Sequence, residues 1–257
     1  MGIYNCASTL PEAIESIIHQ TYTDWELILC DDGSRDNTLD VALQYKKKDP
    51  RIRVLKNPIN RGLNKTLNNC LSETRGQFIA RMDGDDICAP TRLEKEMKVL
   101  QEHPEYAIVS TEMGMFDADG QWGQTDYKEV PQPKDLIQSS QFCHAACLVR
   151  KEAYDAVGGY SIDKTLLRVE DYHLWIKMYA KGYRGYNIKE VLYMMRDDRN
   201  AVARRTFRNR LNEMHVKRYA IRAFNLPFTY NIYLLRPLLL ALMPSWLYKM
   251  LHKQSHK

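Results

Sequence analysis

The chain has 257 residues, of which 44% are hydrophobic, so it can fold around one α/β core and is too apolar to be globally disordered. The formal net charge of +5 is uneven: residues 196–257 contain 13 Lys/Arg and 3 Asp/Glu, whereas residues 1–195 contain 24 and 29. A basic segment after an acidic body predicts contact with an anionic surface, and a membrane is favoured over nucleic acid because no nucleic-acid-binding module accompanies the basic residues.

Short apolar runs alternate with amphipathic helical patterns over the first three-fifths of the chain, which is typical of a mainly parallel sheet flanked by helices. The predicted strands cover residues 2–4, 25–30, 52–56, 78–82, 106–110 and 141–149. The predicted helices cover residues 9–20, 37–47, 63–72, 90–102, 151–157 and 169–181. Residues 117–120, Asp-Ala-Asp-Gly, predict a hairpin turn.

The six cysteines form no C-x-x-C pair, and several lie inside apolar runs. This pattern predicts buried free thiols in a reducing compartment. Met1 is followed by neither a basic stretch nor the apolar core of a secretory signal. We therefore expect a cytoplasmic protein.

Two acidic clusters directly follow predicted strands. Asp31 and Asp32 follow the second strand, and Asp83, Asp85 and Asp86 follow the fourth. Ligands of open α/β sheets bind at the carboxyl ends of strands, and neighbouring acidic clusters repel each other unless a cation lies between them. Asp83 and Asp85 therefore predict a site for Mg²⁺ or Mn²⁺. Because Asp-Gly runs also form ordinary solvated turns, these residues alone leave both interpretations open.

The order of the motifs along the chain resembles that of family 2 glycosyltransferases. The motifs are Tyr4-Asn5, Gln20-Thr21-Tyr22, the run ELILCDDGS at 26–34, Asn60-Arg61-Gly62, and the run ARMDGDD at 80–86. The resemblance covers residues 1–195. It implies an α/β, Rossmann-like fold of the GT-A type, a nucleotide-sugar donor, a divalent metal and inversion at the anomeric carbon. It also implies a nucleotide-sugar-binding half at 1–110 and an acceptor-side half at 111–195.

By that resemblance, Tyr4 would stack on the nucleobase and Asp32 would accept a hydrogen bond from the N–H of its ring. Asp83 would contact the ribose or phosphate and the metal, and Asp85 would ligate the metal. A pyrimidine needs an aromatic face and an edge acceptor, and a pyrophosphate leaving group needs a cation, so the residue types suit these roles. Lys65 is a further candidate for contact with the donor.

An acidic pair, Glu170-Asp171, opens a predicted helix and is followed by Trp175. In the resembling family such a pair, followed by an aromatic residue and Leu-Trp, holds the general base, and the match points to Asp171. Without the upstream motifs, favourable interaction with the helix dipole would explain the pair. Glu170 and His173 remain alternatives for the base.

Arg81 and His144 are two further residues that could function near these carboxylates. Arg81 is interpreted as a neighbour that neutralises them, with a direct contact to the donor as the alternative. His144 precedes an apolar run, and its position suits either contact with the acceptor or metal or a hydrogen-bonded core histidine. Neither is predicted to be catalytic.

Residues 196–257 predict a basic, amphipathic, helical tail. Between residues 223 and 248 the only charged residue is Arg236, but Arg236, Pro237 and Pro244 divide the apolar run into pieces too short to span a bilayer. The flanking basic residues Arg218, Arg222, Lys249 and Lys253, together with Trp246 and Tyr248, suit a segment that lies in the membrane interface. Packing of the tail on the catalytic domain is the alternative, and both can hold together.

The first predicted strand has only three residues, fewer than the about 5–6 typical of strands. Either the sheet tolerates this short strand, or a short apolar segment ahead of Met1 would complete it and help to fix Tyr4.

We expect an inverting enzyme that transfers a single sugar, from a UDP-sugar, to a glycan or polyprenyl-linked acceptor in cell-surface polysaccharide synthesis. The tail and the resemblance together place it peripherally on the inner face of the cytoplasmic membrane. One alternative is a nucleotidyltransferase. Such an enzyme would need a Gly-rich basic loop after the first strand, but residues 5–8 are Asn-Cys-Ala-Ser. The other is a catalytically silent binding subunit with the same fold.

Overall fold

The structure, a computed structural model, describes residues 1–197 and 206–242. The strands are β1 (Gly2–Ile3), β2 (Leu27–Asp31), β3 (Ile52–Lys56), β4 (Phe78–Ala80), β5 (Ile87–Cys88), β6 (Ile108–Asp117), β7 (Gly120–Gln124), β8 (Leu148–Arg150) and β9 (Gly185–Arg196). The helices are α1 (Leu10–Ile18), α2 (Thr38–Lys48), α3 (Leu63–Ser72), α4 (Arg92–Glu102), α5 (Lys151–Val157), α6 (Glu170–Ala180), α7 (Phe207–Ala223) and α8 (Leu235–Leu242). Short 3₁₀ turns cover Asp135–Ile137, His144–Ala146, Lys164–Leu166 and Phe228–Leu234.

The amino-terminal half contains the predicted parallel sheet. Its order is β1-β2-β3, and Leu27 of β2 lies opposite Ile52 of β3. Every residue of β2 is buried, as expected for a parallel strand that is covered on both faces. The helix α1 presents Leu10 and Ile14, both fully buried, to this core, because apolar side chains four positions apart share one helix face. The α/β class is therefore confirmed.

The second sheet is mixed rather than parallel. Its strands follow the order β4-β8-β6-β9-β5, with β7 paired to β6. Among these pairs only β6 and β9 run parallel. The predicted strand at 141–149 is wrong over most of its length, because His144–Ala146 form a 3₁₀ turn and β8 covers only Leu148–Arg150. The strand β9 was not predicted at all.

The first helix of the tail packs on the catalytic core. Thr206 caps α7 by accepting a hydrogen bond from the Asn209 N–H at 3.3 Å. Val216 and Ala220 are buried in the same cluster as Trp175 of α6. The fully buried Lys217 Nζ donates to the carbonyl oxygens of Ile137 at 2.8 Å and Gln138 at 2.6 Å. Packing on the domain, one of the two interpretations of the tail, therefore holds for α7.

The segment after α7 leaves apolar side chains in solvent. Phe228 is 87% exposed, Ile232 66% and Leu239 65%. Within residues 1–197 and 206–242, no helix combines the length and apolar character that crossing a bilayer requires. The predicted interfacial residues Trp246, Tyr248, Lys249 and Lys253 lie outside the described residues.

Candidate active site

The loops that follow β1 and β2 are tied together by hydrogen bonds. The Asn5 N–H donates to Ser34 Oγ at 3.1 Å, and the Arg35 N–H donates to Asn5 Oδ1 at 2.8 Å. Asn5 has φ 49°, a left-handed conformation that asparagine tolerates better than most residues. The preceding Tyr4 is 43% exposed, so its ring is available for stacking at this edge of the sheet.

Asp32 is buried and organises the loop that leads into α3. Its Oδ1 accepts from Asn57 Nδ2 at 2.8 Å and from the Arg61 N–H at 2.9 Å, and its Oδ2 accepts from the Gly62 N–H at 2.9 Å. A carboxylate offers about four acceptor positions, so one remains for the predicted bond to a nucleobase. Lys65 is half-buried on the first turn of α3, directly after this loop.

Asp83, Asp85 and Asp86 converge in the turn between β4 and β5. One carboxylate oxygen from each of the three lies within 4.8 Å of the others. Gly84 allows the turn to pack on the end of β1, because a Cβ at this position would lie 2.9 Å from Cys6 Sγ and 3.1 Å from Ile3 Cγ2. The structure therefore brings the two predicted metal ligands, Asp83 and Asp85, into one cluster with a third carboxylate.

The electrostatics of this carboxylate cluster (Asp83, Asp85 and Asp86) favour a cation. Asp85 is exposed, yet desolvation and the neighbouring Asp83 raise its pKa. Burial, and then the charge of Asp83, raises the pKa of Asp86 to about 7. Three converging carboxylates, of which Asp85 and Asp86 have a raised pKa, form a set of hard oxygen donors that fits Mg²⁺ or Mn²⁺.

Two residues of β9 hold this cluster in place. Tyr193 Oη donates to Asp86 Oδ2 at 2.8 Å, and the Arg196 N–H donates to Asp86 Oδ1 at 2.8 Å. Arg196 Nε also donates to the carbonyl oxygen of Asp85 at 3.0 Å. Sequence reasoning missed both residues because it missed β9, and the apolar run at 191–195 that ends in Arg196 was the available signal.

Arg81 interacts with the carboxylate cluster and also affects the predicted base. It is buried and forms an ion pair with Asp83, which agrees with its interpretation as a neutralising neighbour. Its charge also opposes the rise in the pKa of Asp171. The buried guanidinium group of Arg81 therefore acts on both the carboxylate cluster and Asp171.

Asp171 is the second residue of α6. Burial, and then the charge of Glu170, raises the pKa of its carboxyl to about 6. A carboxylate with this pKa is ionised at neutral pH and still basic enough to take a proton. The alternative base His173 lies against Tyr219 of α7, with 4.8 Å between ring centroids, and burial lowers its pKa to about 4.

His144 has its hydrogen bond within the core. Its Nε2 lies 2.7 Å from Tyr160 Oη, and its ring meets the edge of Trp175 at 5.9 Å between centroids. Burial, and then the charge of Arg81, lowers its pKa well below the usual value. Of the two interpretations of His144, the structure supports the hydrogen-bonded core histidine.

Comparison with known sequences gives a consistent result. The family model described as Glycosyl transferase family 2 matches residues 1–158. The chain is 42% identical to EpsE of Bacillus subtilis (strain 168), which is named as a glycosyltransferase, over 255 residues that cover 99% of this chain and 92% of EpsE. It is 27% identical over 221 residues to the Escherichia coli UDP-Glc:alpha-D-GlcNAc-diphosphoundecaprenol beta-1,3-glucosyltransferase WfaP, with 84% of this chain and 83% of WfaP covered.

Solved structures share the fold at low sequence identity. S. aureus TarS 1-349 in complex with UDP-GlcNAc superposes with a TM-score of 0.71 at 18% identity, over 92% of this chain and 70% of TarS 1-349. The mannosyltransferase PcManGT from Pyrobaculum calidifontis, in complex with GDP-Man and Mn²⁺, superposes with a TM-score of 0.68 at 21% identity, over 91% of this chain and 66% of PcManGT. Taken with the family match over residues 1–158 and the 42% identity to EpsE, this likeness shows that the chain belongs to glycosyl transferase family 2 and is a glycosyltransferase of the GT-A fold.

Proposed function

We propose that this glycosyltransferase transfers a single sugar, with inversion, from a nucleotide diphosphate sugar to a glycan or polyprenyl-linked acceptor in polysaccharide biosynthesis. The observation that carries this proposal is the shared cation: buried Arg81 pairs with Asp83 of the carboxylate cluster and acts on the pKa of Asp171. The carboxylates proposed to bind the metal and the carboxylate proposed to deprotonate the acceptor are therefore both influenced by the charge of Arg81.

The donor half of the site would bind the nucleotide. The exposed ring of Tyr4 would stack on the base, the open acceptor position of Asp32 would meet its ring N–H, and Lys65 would contact the phosphates. The carboxylate cluster would hold Mn²⁺ or Mg²⁺, which neutralises the charge that develops on the departing diphosphate. The complexes of TarS with UDP-GlcNAc and of PcManGT with GDP-Man and Mn²⁺ support both parts. We favour UDP as the nucleotide.

The acceptor half would carry out the proton transfer. The Asp171 carboxylate takes the proton of the acceptor hydroxyl as that oxygen bonds to the anomeric carbon. The bond from this carbon to the diphosphate oxygen breaks on the opposite face, so the nucleoside diphosphate leaves with the electron pair and the configuration inverts. The positive charge of Arg81 would offset the repulsion between the carboxylates of Asp83 and Asp171.

A lipid-linked acceptor suits the surface of the tail. Exposed Phe228, Ile232, Leu235 and Leu239 are spaced four, three and four residues apart, and Arg218 and Arg222 are exposed on the adjacent helix α7. Apolar side chains beside basic ones are typical of segments that lie in a membrane interface. The name of WfaP specifies an undecaprenol-linked acceptor. We therefore place the protein peripherally on the inner face of the cytoplasmic membrane.

A panel of nucleotide sugars tests the proposed reaction. With Mn²⁺ and no acceptor, we expect slow release of free nucleoside diphosphate from the correct donor only. A nucleotidyltransferase would instead exchange inorganic pyrophosphate with a nucleoside triphosphate. A silent binding subunit would bind the donor and release nothing, and either result would contradict the proposal.

A further inference from the structure

A pocket of about 430 Å³ lies between the loop at 161–166 and the helices α6 and α7. The loop supplies Asp163 and Thr165, α6 supplies His173, and α7 supplies His215 and Tyr219. This volume falls within the range of about 300–1,000 Å³ that is typical of small-molecule sites. The described residues of its lining include neither the predicted base nor a member of the carboxylate cluster, so the pocket is separate from the site described above.

The loop that forms one wall of this pocket is tied to the donor half of the candidate site. Asn64 Nδ2 donates to the Ser161 carbonyl oxygen at 2.9 Å. Asn68 Nδ2 donates to the Tyr160 carbonyl oxygen at 2.8 Å, and Asn68 Oδ1 accepts from the Tyr160 N–H at 2.9 Å. Both asparagines belong to α3, the helix that also carries Lys65. The pocket is therefore held at a fixed position relative to the predicted donor contact.

The opposite wall of the pocket lies close to the predicted base. His173 and Asp171 both belong to the first four residues of α6. A separation of two residues corresponds to about 200° around a helix, so their side chains leave the helix on opposite sides. A ligand that crosses the amino-terminal end of α6 could therefore contact both residues.

His173 lines the pocket as a neutral imidazole. Burial lowers its pKa to about 4, so the ring is uncharged at neutral pH. Its Nδ1 is buried without a hydrogen-bond partner in the described part of the chain. A buried N–H without an acceptor is costly, which favours the tautomer whose proton is on Nε2. The Nε2–H is then left as a donor for a ligand.

Asp163 adds a charged acceptor at the mouth of the pocket. Its Oδ1 accepts from the Thr165 N–H at 2.8 Å and from Thr165 Oγ1 at 2.9 Å. These two hydrogen bonds lower the pKa of the exposed carboxyl, which is therefore ionised at neutral pH. Because both bonds go to Oδ1, the second carboxylate oxygen can accept from a ligand hydroxyl.

The remaining lining residues suit a sugar better than an anion. The ring of Tyr219 is 39% exposed and lies 4.8 Å from the ring of His173 between centroids, and Leu166 and Val216 are buried beside them. A pyranose has an apolar C–H face for such rings and hydroxyls for donors and acceptors. The described residues of the lining include no Lys or Arg, and the Asp163 carboxylate repels a phosphate.

We propose that this pocket is a second sugar subsite, which binds a pyranose unit of the acceptor other than the unit that Asp171 deprotonates. The inference rests on the proposed transfer to a glycan. Asp163 would accept from one hydroxyl, the His173 Nε2–H would donate to another, and Tyr219 would pack on the C–H face. The subsite would favour acceptors of at least two sugars, because one sugar cannot occupy both the subsite and the reaction centre.

Titration of the donor-free protein with simple sugars, followed by NMR of the histidine rings, tests this proposal. The probes are the methyl glycosides of glucose, galactose, mannose and N-acetylglucosamine, with inorganic phosphate as the anionic probe. We expect at least one glycoside to shift the ring signals of His173 and His215 saturably, while those of the exposed His19 stay in place. Tyr219→Ala should weaken this binding about fivefold, because it removes the aromatic face. Phe207→Ala, which removes an exposed ring of α7 outside the pocket lining, is the matched control.

A conservative variant separates loss of the sugar contact from loss of structure. Tyr219→Phe keeps the ring and should bind the glycoside within about twofold of the wild type. Three results would overturn the proposal: ring signals of His173 and His215 that no glycoside shifts, shifts produced by phosphate alone, or equal affinity in Tyr219→Ala and the wild type. Release of nucleoside diphosphate by the wild type tests the proposed function separately. An enzyme that cleaves its donor but binds no glycoside in this pocket would keep that function and lose the subsite.

Discussion

Asp85 is the exposed member of the carboxylate cluster, so its replacement tests the metal site with the least disturbance to the core. We expect Asp85→Asn to abolish the enhancement of UDP binding by Mn²⁺, because it replaces a hard anionic ligand with a neutral amide. Titration of Mn²⁺ against UDP affinity measures this effect. Asp40→Asn, on the exposed face of α2, is the matched control and should behave like the wild type. Unchanged metal enhancement in Asp85→Asn would show that the cluster does not bind the cation.

The raised pKa of Asp171 predicts the pH dependence of the reaction. A general base acts in its deprotonated form, so kcat/KM should fall as the pH decreases through about 6, the pKa that burial and Glu170 produce. In Glu170→Gln the negative neighbour is lost, the pKa of Asp171 falls, and the acid limb should move to lower pH. Asp171→Asn should reduce kcat by about 10²–10⁴-fold with donor affinity within a few-fold of wild type.

The pH profile distinguishes the alternative bases. An acid limb that stays in place in Glu170→Gln, together with normal turnover in Asp171→Asn, would exclude Asp171 as the base. The low pKa of His173, about 4, would place a limb carried by that histidine near pH 4 instead.

The carboxylates of the candidate site can be identified from the sequence more readily than the residues that donate hydrogen bonds to them. Asp32, Asp83 and Asp85 stand where apolar runs end, and the edge of a sheet collects such residues whatever the later topology is. Tyr193 and Arg196 complete the same site from a strand more than a hundred residues away. A contact at that separation depends on the pairing of β6 with β9, which the local pattern of either strand does not encode.

At the scale of elements, the strands of the parallel sheet were predictable, whereas in the mixed sheet the prediction covers β4 and the first residues of β6 but misses β9. The strands β2 and β3 are short apolar runs between clear helical patterns. Residues 185–196 form β9 without a regular alternation of buried and exposed positions, and its register against β6 shifts at Glu112. Period-two alternation is the main sequence signal of a half-buried strand. A strand without that alternation, such as β9, is therefore not identified from its sequence pattern.

The anchoring of α7 by Lys217 predicts that substitution of this residue lowers the free energy of unfolding. Lys217→Met preserves most of the side-chain volume but leaves the carbonyl oxygen of the buried Ile137 without its donor, whereas the carbonyl oxygen of Gln138 still accepts from Arg236 Nη1 at 3.2 Å. One unsatisfied buried group costs about 1–3 kcal/mol, so the free energy of unfolding should fall by about that amount. Denaturant titration measures it, with the exposed neighbour Arg218→Met as control. Equal stability of the two variants would mean that α7 is not anchored through Lys217.

At the scale of the whole molecule, the candidate active site combines residues from both sheets with residues of α6, the helix against which the tail packs. The first sheet supplies Tyr4 and Asp32, the turn after β4 supplies the carboxylate cluster, and α6 supplies Asp171. The helix α7 packs against α6 through Val216 and Ala220. If the tail binds the membrane, it would therefore hold the acceptor side of the candidate site at a fixed orientation to the lipid headgroups.

Vesicle binding tests this arrangement without removing any element. Deletion after Arg222 should release the protein from anionic vesicles, but it would also remove Tyr230, Tyr233 and Leu234, which pack against the core. The double variant Phe228→Gln/Ile232→Gln changes only exposed side chains, and Ile162→Gln, 61% exposed on a different loop, is the control.

We expect the wild type and Ile162→Gln to sediment with vesicles that contain anionic phospholipid, and the double variant to stay in solution. High salt should weaken binding of the wild type, because the Arg218 and Arg222 side chains act on the lipid charge over a Debye length of only about 10 Å at 0.1 M salt. Donor hydrolysis in solution should be the same in all three proteins, since Phe228 and Ile232 lie outside the catalytic machinery. Undiminished sedimentation of the double variant would move the membrane contact away from the tail.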